Sequence, residues 1–332
     1  MNGSNPPRTL QPLVESLEIG APIVWGNLVV VPLASEGSTQ RNYLLAEDAI
    51  AQNLLMVQPI RQQDGSWALD IVSRAQHRVL IVEGEELVCH GLSYIASRST
   101  LIDSGGQADL PVCVVAETRP YRNGFRVRTG SFSPPRLRCA SAHCIAGHGE
   151  GNLPCEKSDC LQSLFDGYRK RLNVNSHRLT VEHLHISCSE AVSSYARRLD
   201  ATGEACGFMA AVAGRLLALD LFESNDVLNR LWSRLIAGYV LSAMALEDLP
   251  PRHFGVASSM ALLEQLGDQA LRVTDSEGGG QVVRFGGAGM TGQGLWSDGR
   301  WLHLSAFPEK VIVEQAASAP RNEEASRPTP VE

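Results

Sequence analysis

The chain has 332 residues, of which 44% are hydrophobic, and a formal net charge of −7. This length and apolar content suffice for one large or two ordinary domains with a buried core, and the negative charge excludes a basic field over the whole molecule that would attract nucleic acid or anionic lipid. The start of the chain lacks a basic segment followed by an apolar run, and no window reaches the roughly 18 apolar residues of a membrane helix, so we expect a cytoplasmic protein without nucleic acid or membrane among its partners.

The first half of the chain is predicted to be mainly β-structure. Residues 1–18 are polar and contain prolines, which predicts a loose leader before a single folded domain over residues 19–313. Short runs rich in β-branched residues, separated by Gly, Asp and Ser, predict strands, and one short helix at 47–54 runs into a strand at 55–57. The other predicted strands cover residues 23–25, 28–33, 67–72, 77–82 and 111–116.

An acidic turn, Glu83-Gly84-Glu85-Glu86, follows one of these predicted strands. Its carboxylates suit a general acid, a general base or a metal ligand if a cleft holds one of them, and a solvated acidic turn is the alternative. A later basic stretch suits a phosphate or another small anion, with a solvated basic loop as the alternative. Its arginines are Arg119, Arg122, Arg126, Arg128, Arg136 and Arg138.

A cysteine-rich insert at 139–160 separates the two halves of the chain. It contains four of the eight cysteines, Cys139, Cys144, Cys155 and Cys160, together with His143, His148 and several glycines. In a reducing cytosol this combination indicates metal binding in preference to disulfide formation, because thiolates are soft ligands and glycines let a backbone fold around an ion. Zinc held by four cysteines, or by three cysteines and His143 or His148, is the leading interpretation. An iron–sulfur cluster and unligated thiols are the alternatives.

The second half of the chain changes to helical periodicity. Apolar residues at i, i+3, i+4 and i+7 predict helices at 160–172 and 189–199, and the broadest apolar stripe predicts a long helix that begins at Asn225 and ends before Pro250. A hairpin of two buried strands is predicted at 205–222, a short helix at 256–266, and further strands at 271–307. The tail at 314–332 has almost no bulky apolar residues, which predicts disorder. Without βαβ alternation, the fold class is α+β.

Short segments along the chain form an ordered series. In the first half they are Trp25-Gly26-Asn27-Leu28-Val29-Val30-Val31-Pro32-Leu33, Tyr43-Leu44-Leu45, Gly84-Glu85-Glu86-Leu87-Val88, and Pro111-Val112 with Arg119. In the second half they are Gly207-Phe208-Met209, Gly214-Arg215, Leu219-Asp220-Leu221-Phe222, Leu231-Trp232 and Gly238-Tyr239. This series resembles the ARPP domain family, named for its association with ADP-ribosylglycohydrolases and rhodanese-phosphatase proteins, over roughly residues 20–310.

The resemblance implies a domain linked to ADP-ribose or nucleotide metabolism. Glu85, Glu86 and Arg119 are then the candidate ligand residues, because a carboxylate can bind a ribose hydroxyl and a guanidinium a phosphate. This chain departs from the family pattern after the Gly-Glu-Glu-Leu segment, where Leu92-Ser93-Tyr94 replaces Gln-Asn-Arg. It also departs before Arg119, where Val114-Val115-Ala116 replaces Cys-Val-Glu, and after it, where Pro120 replaces Trp.

Three functions therefore compete. The leading hypothesis is a divergent ARPP-like protein that binds or processes an ADP-ribose or nucleotide-type ligand and carries a metal-binding insert. The second is a non-catalytic metal-binding or protein-interaction module. The third is an enzyme centred on zinc or an iron–sulfur cluster, with His143 or His148 beside an open coordination position.

Overall fold

A computed structural model describes residues 5–35, 41–117, 127–146, 157–175, 180–199, 203–250, 252–275, 278–287 and 289–309. The predicted α+β class is confirmed: strands dominate the first half, and helices with further strands make up the second.

Eight helices occur in the described part of the chain. They are α1 (Gln11–Glu15), α2 (Ala46–Ala51), α3 (Pro135–Ala146), α4 (Lys157–Arg171), α5 (Val181–Ser187), α6 (Ser189–Arg198), α7 (Asn225–Ala245) and α8 (Val256–Gly267). The predicted helices at 160–172, 189–199, 225–249 and 256–266 correspond to α4, α6, α7 and α8. The start of the cysteine insert was expected to be a loop. It forms the end of α3, which continues to Ala146.

The strands of the first half are β1 (Leu17–Ile19), β2 (Ile23–Trp25), β3 (Leu28–Ser35), β4 (Tyr43–Leu45), β5 (Leu55–Arg61), β6 (Trp67–Ser73), β7 (Arg78–Ile81), β8 (Glu85–Cys89), β9 (Leu92–Ala96), β10 (Thr100–Ile102), β11 (Gln107–Glu117) and β12 (Arg128–Phe132). The strands of the second half are β13 (Gly207–Val212), β14 (Arg215–Phe222), β15 (Arg272–Asp275), β16 (Gln281–Gly287), β17 (Met290–Ser297) and β18 (Arg300–Pro308).

These strands form three sheets. A nine-stranded sheet has the order β1-β3-β13-β14-β18-β17-β16-β15, with β2 also paired to β3, and a six-stranded sheet has the order β12-β8-β9-β11-β6-β5. A small sheet, β10-β7-β4, contains a parallel pair, β4 with β7. Most neighbours are antiparallel, as expected for strands joined by short turns. The predicted hairpin at 205–222 is β13–β14.

Helix α7 is the central helix of the molecule. Fourteen of its 21 residues are buried, and the hydroxyl of Ser224 caps its first turn by accepting a hydrogen bond from the Val227 N–H. Its apolar stripe packs on β13 and β14 in one hydrophobic core, while α1 and α8 cover the opposite face of the nine-stranded sheet. The long helix predicted from periodicity is therefore stabilised by burial of its apolar stripe against this sheet.

The first residues differ from the expectation of a loose leader. Residues 11–15 form α1, and β1 begins at Leu17 and pairs with β3. The reason is that Leu10 is completely buried and Leu13 and Val14 pack beside it against α8, so these few apolar residues order the segment. No helix in the described part of the chain is long and apolar enough to span a membrane.

Candidate functional site

The acidic turn between β7 and β8 is buried. Glu83, Glu85 and Glu86 are each at most 1% exposed, and Gly84 among them has a φ of +84°. Each of the three carboxylates has different partners. The solvated acidic turn considered as an alternative from the sequence is therefore wrong, because buried carboxylates require partners inside the protein.

Glu83 and Asp220 hold the guanidinium of Arg138 between them. Arg138 Nη2 donates to Glu83 Oε2 at 2.8 Å and to Asp220 Oδ1 at 2.6 Å, and Nη1 donates to Asp220 Oδ2 at 2.8 Å. All three side chains are 0% exposed. Burial by itself would raise the pKa of Asp220, but the adjacent guanidinium lowers this pKa well below its usual range. These side chains form an interior ion triplet, in which the charges compensate one another without solvent.

Further side chains extend the triplet. Tyr239 donates to Asp220, and His303 Nε2 lies 3.4 Å from Asp220 Oδ1. On its other side, His303 Nδ1 lies 2.8 Å from Ser99 Oγ, which accepts a hydrogen bond from the Glu83 N–H at 2.9 Å. The order Ser–His–Asp resembles a hydrolase triad, but Ser99 is 4% exposed and His303 1%, so the arrangement belongs to the protein interior.

Gly84 is required by this packing. A Cβ atom at this position would lie 2.6 Å from Arg138 Cδ, and the positive φ disfavours any side chain. Gly84, Asp220 and Tyr239 belong to three different segments of the ordered series found in the sequence. That series therefore includes three of the residues that surround Arg138, a residue the sequence had placed only in a basic stretch.

Glu86 caps the N-terminus of α5. Its Oε1 accepts a hydrogen bond from the Val181 N–H at 3.0 Å and its Oε2 one from the Glu182 N–H at 2.9 Å, and Ser93 also donates to Oε1. Burial raises the pKa of Glu86 to about 7, although these hydrogen bonds favour the charged form. A Cβ on Gly130 would lie 2.2 Å from Glu86 Oε2, so β12 also approaches this carboxylate closely.

Glu85 pairs with Arg234 of α7. Arg234 Nη2 lies 2.7 Å from Glu85 Oε1, and its Nε lies 3.4 Å from the half-exposed Glu47 of α2. The Arg234 guanidinium also lies over the ring of Phe132, at 5.3 Å from its centroid. This pair joins β8 to α7 and α2, near the surface.

Arg119 lies outside the described residues. Among those that are described, β11 ends at Glu117 and β12 begins at Arg128, and β12 pairs with β8. The ends of this connection thus lie on the sheet that carries Glu85 and Glu86. A ligand-contact role for Glu85, Glu86 and Arg119 stays a prediction.

The cysteine insert is described in part. The Cys139 thiol is buried on α3, burial raises its pKa to about 12, and its Sγ lies 3.5 Å from His143 Nδ1. Cys144 and Cys160 lie on α3 and α4, but their side chains, like all of Cys155 and His148, lie outside the described residues. Among the side chains that are described, no group of three or more His, Cys, Asp or Glu residues is arranged to hold a metal ion.

A cleft of about 960 Å³ lies at one end of the strands of the nine-stranded sheet. It lies between α1, the ends of β3 and β14, the start of α7 and the turn of the β17–β18 hairpin. Trp296 and Trp301 of that hairpin line it with their rings 5.1 Å apart in an edge-to-face arrangement. The volume lies within the range of about 300–1,000 Å³ typical of small-molecule and cofactor sites.

A buried ion pair adjoins the two indoles. Arg300 Nε lies 3.1 Å from Glu223 Oε2, and the Glu223 side chain is 1% exposed while that of Arg300 is 24% exposed. Burial raises the pKa of Glu223, and the nearby guanidiniums, of which that of Arg300 acts most strongly, lower it in part. Glu18 and Glu204 also line the cleft, so the described part of its lining includes three carboxylates and one guanidinium.

These cleft residues were not identified as a site from the sequence. A signal is present, however, since Trp296 and Trp301 flank Ser297-Asp298-Gly299-Arg300 in a short hairpin turn. Such a turn exposes both aromatic rings and one guanidinium at the same end of a sheet. Glu223 has no comparable signal, because it meets Arg300 only through the pairing of β14 with β18.

Comparison with known proteins identifies a family. The model of ARPP-1, described as the ARG and Rhodanese-Phosphatase-superfamily-associated Protein domain, matches residues 16–307. No curated protein and no solved structure matches the chain. The match covers nearly all of the described fold, including the acidic turn, the ion triplet and most of the cleft.

Proposed function

The chain belongs to the ARPP-1 family, and on that premise we propose that its cleft binds a nucleotide-type ligand of the ADP-ribose kind. The observation that carries the proposal is the placement of Trp296 and Trp301 beside the Arg300–Glu223 pair in a cleft of sufficient volume. The family's association with ADP-ribosylglycohydrolases gives the ligand class, and the cleft supplies groups suited to each part of such a ligand.

Each part of ADP-ribose finds matching chemistry in the cleft. A planar base stacks on an indole face, and such stacking contributes about 1–3 kcal/mol per base. Ribose hydroxyls donate to carboxylates, and Glu18 and Glu204 line the cleft beside the buried Glu223. Arg300 uses Nε for Glu223 and Nη2 for Asn42 and, being partly exposed, can offer its Nη1 N–H groups to a phosphate.

The charge balance of the cleft refines the proposal. Because the described lining contains three carboxylates and one guanidinium, it favours contacts with the ribose hydroxyls and limits the contribution of the phosphates to the binding free energy. ADP-ribose has a second ribose that AMP lacks. We therefore expect ADP-ribose to bind more tightly than AMP, mainly through its second ribose.

Calorimetric titration of the full chain with ADP-ribose, AMP and adenosine tests this proposal. Trp301→Ala and Arg300→Met are the cleft variants, and Trp67→Ala, which alters an indole on the six-stranded sheet beside Arg61 and Tyr94, is the matched control. We expect the cleft variants to weaken ADP-ribose binding about tenfold or more and the control to leave it unchanged. Absence of heat with millimolar ADP-ribose would refute the proposal.

A second candidate function, metal binding by the cysteine insert, has one specific observation in its favour. Cys139 and His143 are spaced i, i+4 on α3 with 3.5 Å between Sγ and Nδ1, and His143 Nδ1 donates to the Cys139 carbonyl at 2.8 Å, which leaves Nε2 as the nitrogen able to bind a metal. These two residues would form part of a site with further cysteines of the insert. Such a site would stabilise the connection between α3 and α4.

Elemental analysis with an absorption spectrum, on protein purified without oxygen and without a metal-binding tag, tests this second candidate. One zinc per chain, lost in Cys139→Ser and retained in the control Cys206→Ser, supports a zinc site. Iron and sulfide with visible absorbance would support the iron–sulfur alternative instead, and protein without either metal contradicts both.

A further inference from the structure

A group of buried polar atoms lies around Glu223, on the inner side of the cleft. Glu223 lines the cleft but is almost inaccessible to solvent, and Tyr43 beside it is buried. Among the described residues, four buried atoms of this group have no hydrogen-bond partner: both Glu223 carboxylate oxygens, Tyr43 Oη and Arg41 Nη1. Native proteins keep few unsatisfied buried polar atoms, because each one costs free energy. Several at one place therefore indicate that a further molecule contributes hydrogen bonds there.

Electrostatic effects show that these atoms are neighbours. Burial raises the pKa of Tyr43, and the charge of Glu223 raises it further. The guanidiniums of Arg41 and Arg300 oppose this rise, so both also lie near the Tyr43 hydroxyl. The hydroxyl and Arg300 Nε both lie beside the Glu223 carboxylate, the latter at 3.1 Å, but neither is in hydrogen-bond geometry. The hydroxyl and Arg41 Nη1 thus remain able to donate, and the carboxylate oxygens remain able to accept.

The chemistry of these atoms selects a hydroxyl group of a ligand. A phosphate oxygen would accept from Tyr43 and Arg41, but it would lie against the negative charge of Glu223. An apolar group would satisfy none of the atoms. A hydroxyl both donates and accepts, so two neighbouring sugar hydroxyls can donate to the carboxylate and accept from the two donors.

The burial of this group indicates which part of a nucleotide-type ligand fits it. Phe222 and Ser224 line the cleft on either side of Glu223 and are themselves buried, so the group is enclosed and suits the end of a ligand. The adenosine ribose of ADP-ribose is joined to the base and to a phosphate, which places it inside the ligand. The terminal ribose is joined only through its 5′ carbon and presents three hydroxyls. Arg300 beside Glu223 then lies near the diphosphate.

We propose that Glu223, Tyr43 and Arg41 form the subsite for the terminal ribose of ADP-ribose and thereby distinguish ADP-ribose from ADP. This inference rests on the nucleotide-type ligand proposed for the cleft and assigns one part of that ligand to particular residues. The ribose hydroxyls donate to Glu223 and accept from Tyr43 and Arg41. ADP lacks this ribose and therefore leaves the buried polar atoms without these hydrogen bonds.

Calorimetric titration of the full chain with ADP-ribose and with ADP tests the assignment. We expect the native chain to bind ADP-ribose about tenfold more tightly than ADP, and Tyr43→Phe to lose most of this preference while its ADP affinity stays the same. Tyr94→Phe is the matched control, because Tyr94 Oη is also buried without a hydrogen-bond partner but lies in the core of the six-stranded sheet. It should retain the preference. Trp301→Ala should weaken both ligands equally, since both contain the base.

Urea unfolding separates a binding role of the Tyr43 hydroxyl from a structural one. Removing a buried hydroxyl that has no partner should leave the stability unchanged or raise it, in Tyr43→Phe as in Tyr94→Phe. A larger loss of stability in Tyr43→Phe, or a failure of this variant alone to fold, would show that its hydroxyl is satisfied within the protein and would overturn the assignment.

The assignment and the proposed function can fail separately. If neither ADP-ribose nor ADP binds at millimolar concentration, both are refuted. If both ligands bind with equal affinity, or if Tyr43→Phe keeps the full preference for ADP-ribose, only the terminal-ribose subsite is refuted. The second of these results is expected if ordered water satisfies the buried atoms when the ligand is bound.

Discussion

Two arginine–carboxylate groups in this protein have similar chemistry and opposite surroundings. Arg138 lies with Glu83, Asp220 and Tyr239 in the interior, where all four side chains are inaccessible to solvent. Arg300 pairs with Glu223 at a cleft, where the Arg300 side chain is 24% exposed. The interior group uses its hydrogen-bonding capacity within the protein, so it supports the fold, whereas the cleft group keeps capacity for a ligand.

The largest expected difference between the two groups follows removal of the guanidinium. Arg138→Met leaves two buried carboxylates unpaired, so we expect the free energy of unfolding to fall by about 3–5 kcal/mol. Urea unfolding followed by circular dichroism measures this loss. If Arg138→Met unfolds at the same urea concentration as the native chain, the ion triplet does not contribute to stability as described.

The next effect concerns the glycine that makes room for Arg138. Gly84→Ala combines a positive φ with a Cβ only 2.6 Å from Arg138 Cδ, so we expect a loss of about 2–4 kcal/mol. Gly65→Ala is the matched control, since Gly65 has a φ of +80° but no atom within 4 Å of a Cβ. The control isolates the backbone cost, about 1 kcal/mol. Equal losses in both variants would show that the Arg138 side chain can move away from the new Cβ without loss of stability.

A third effect is pH-dependent and concerns Glu86, which is also in the interior. Its pKa is raised from 4.5 to about 7 in the folded protein, so the folded state binds a proton more tightly than the unfolded state. The resulting stability is fully present below pH 4.5 and is lost as the pH rises through 7. We expect the native chain to lose about 1–3 kcal/mol between pH 5 and pH 8 relative to Glu86→Gln. Parallel pH profiles of the two proteins, from thermal or urea unfolding, would contradict this.

The smallest expected effect on stability belongs to the cleft. Arg300→Met removes one partner of the buried Glu223 carboxylate but leaves Tyr43 and the guanidiniums of Arg41 and Arg78 beside it, so we expect it to cost only about 1 kcal/mol of stability. Binding of ADP-ribose should fall about tenfold in the same variant. Unfolding and calorimetry on one protein sample separate the two effects. A large loss of stability with unchanged binding would show that Arg300 supports the fold and does not bind the ligand.

Much of the fold was predictable because its signals are local. The apolar stripe that begins at Asn225 predicted α7, and the β-branched runs predicted β3 and β6, since helix and strand periods extend over only a few neighbouring residues. The ordered series of short segments identified the family. Residues 11–18 were less predictable, because their order depends on α8, which begins only at Val256.

The candidate sites could be recognised only in the tertiary structure, because their residues are distant in the sequence. Glu83 and Arg138 are 55 residues apart, and Arg138 and Asp220 are 82 apart, so no local pattern shows that they meet. The sequence determined which charged and aromatic residues the chain contains and which elements carry them. Only the packing of the sheets around α7 decided which carboxylates are buried with a guanidinium and which line a cleft, because burial and partner choice depend on contacts distant in sequence.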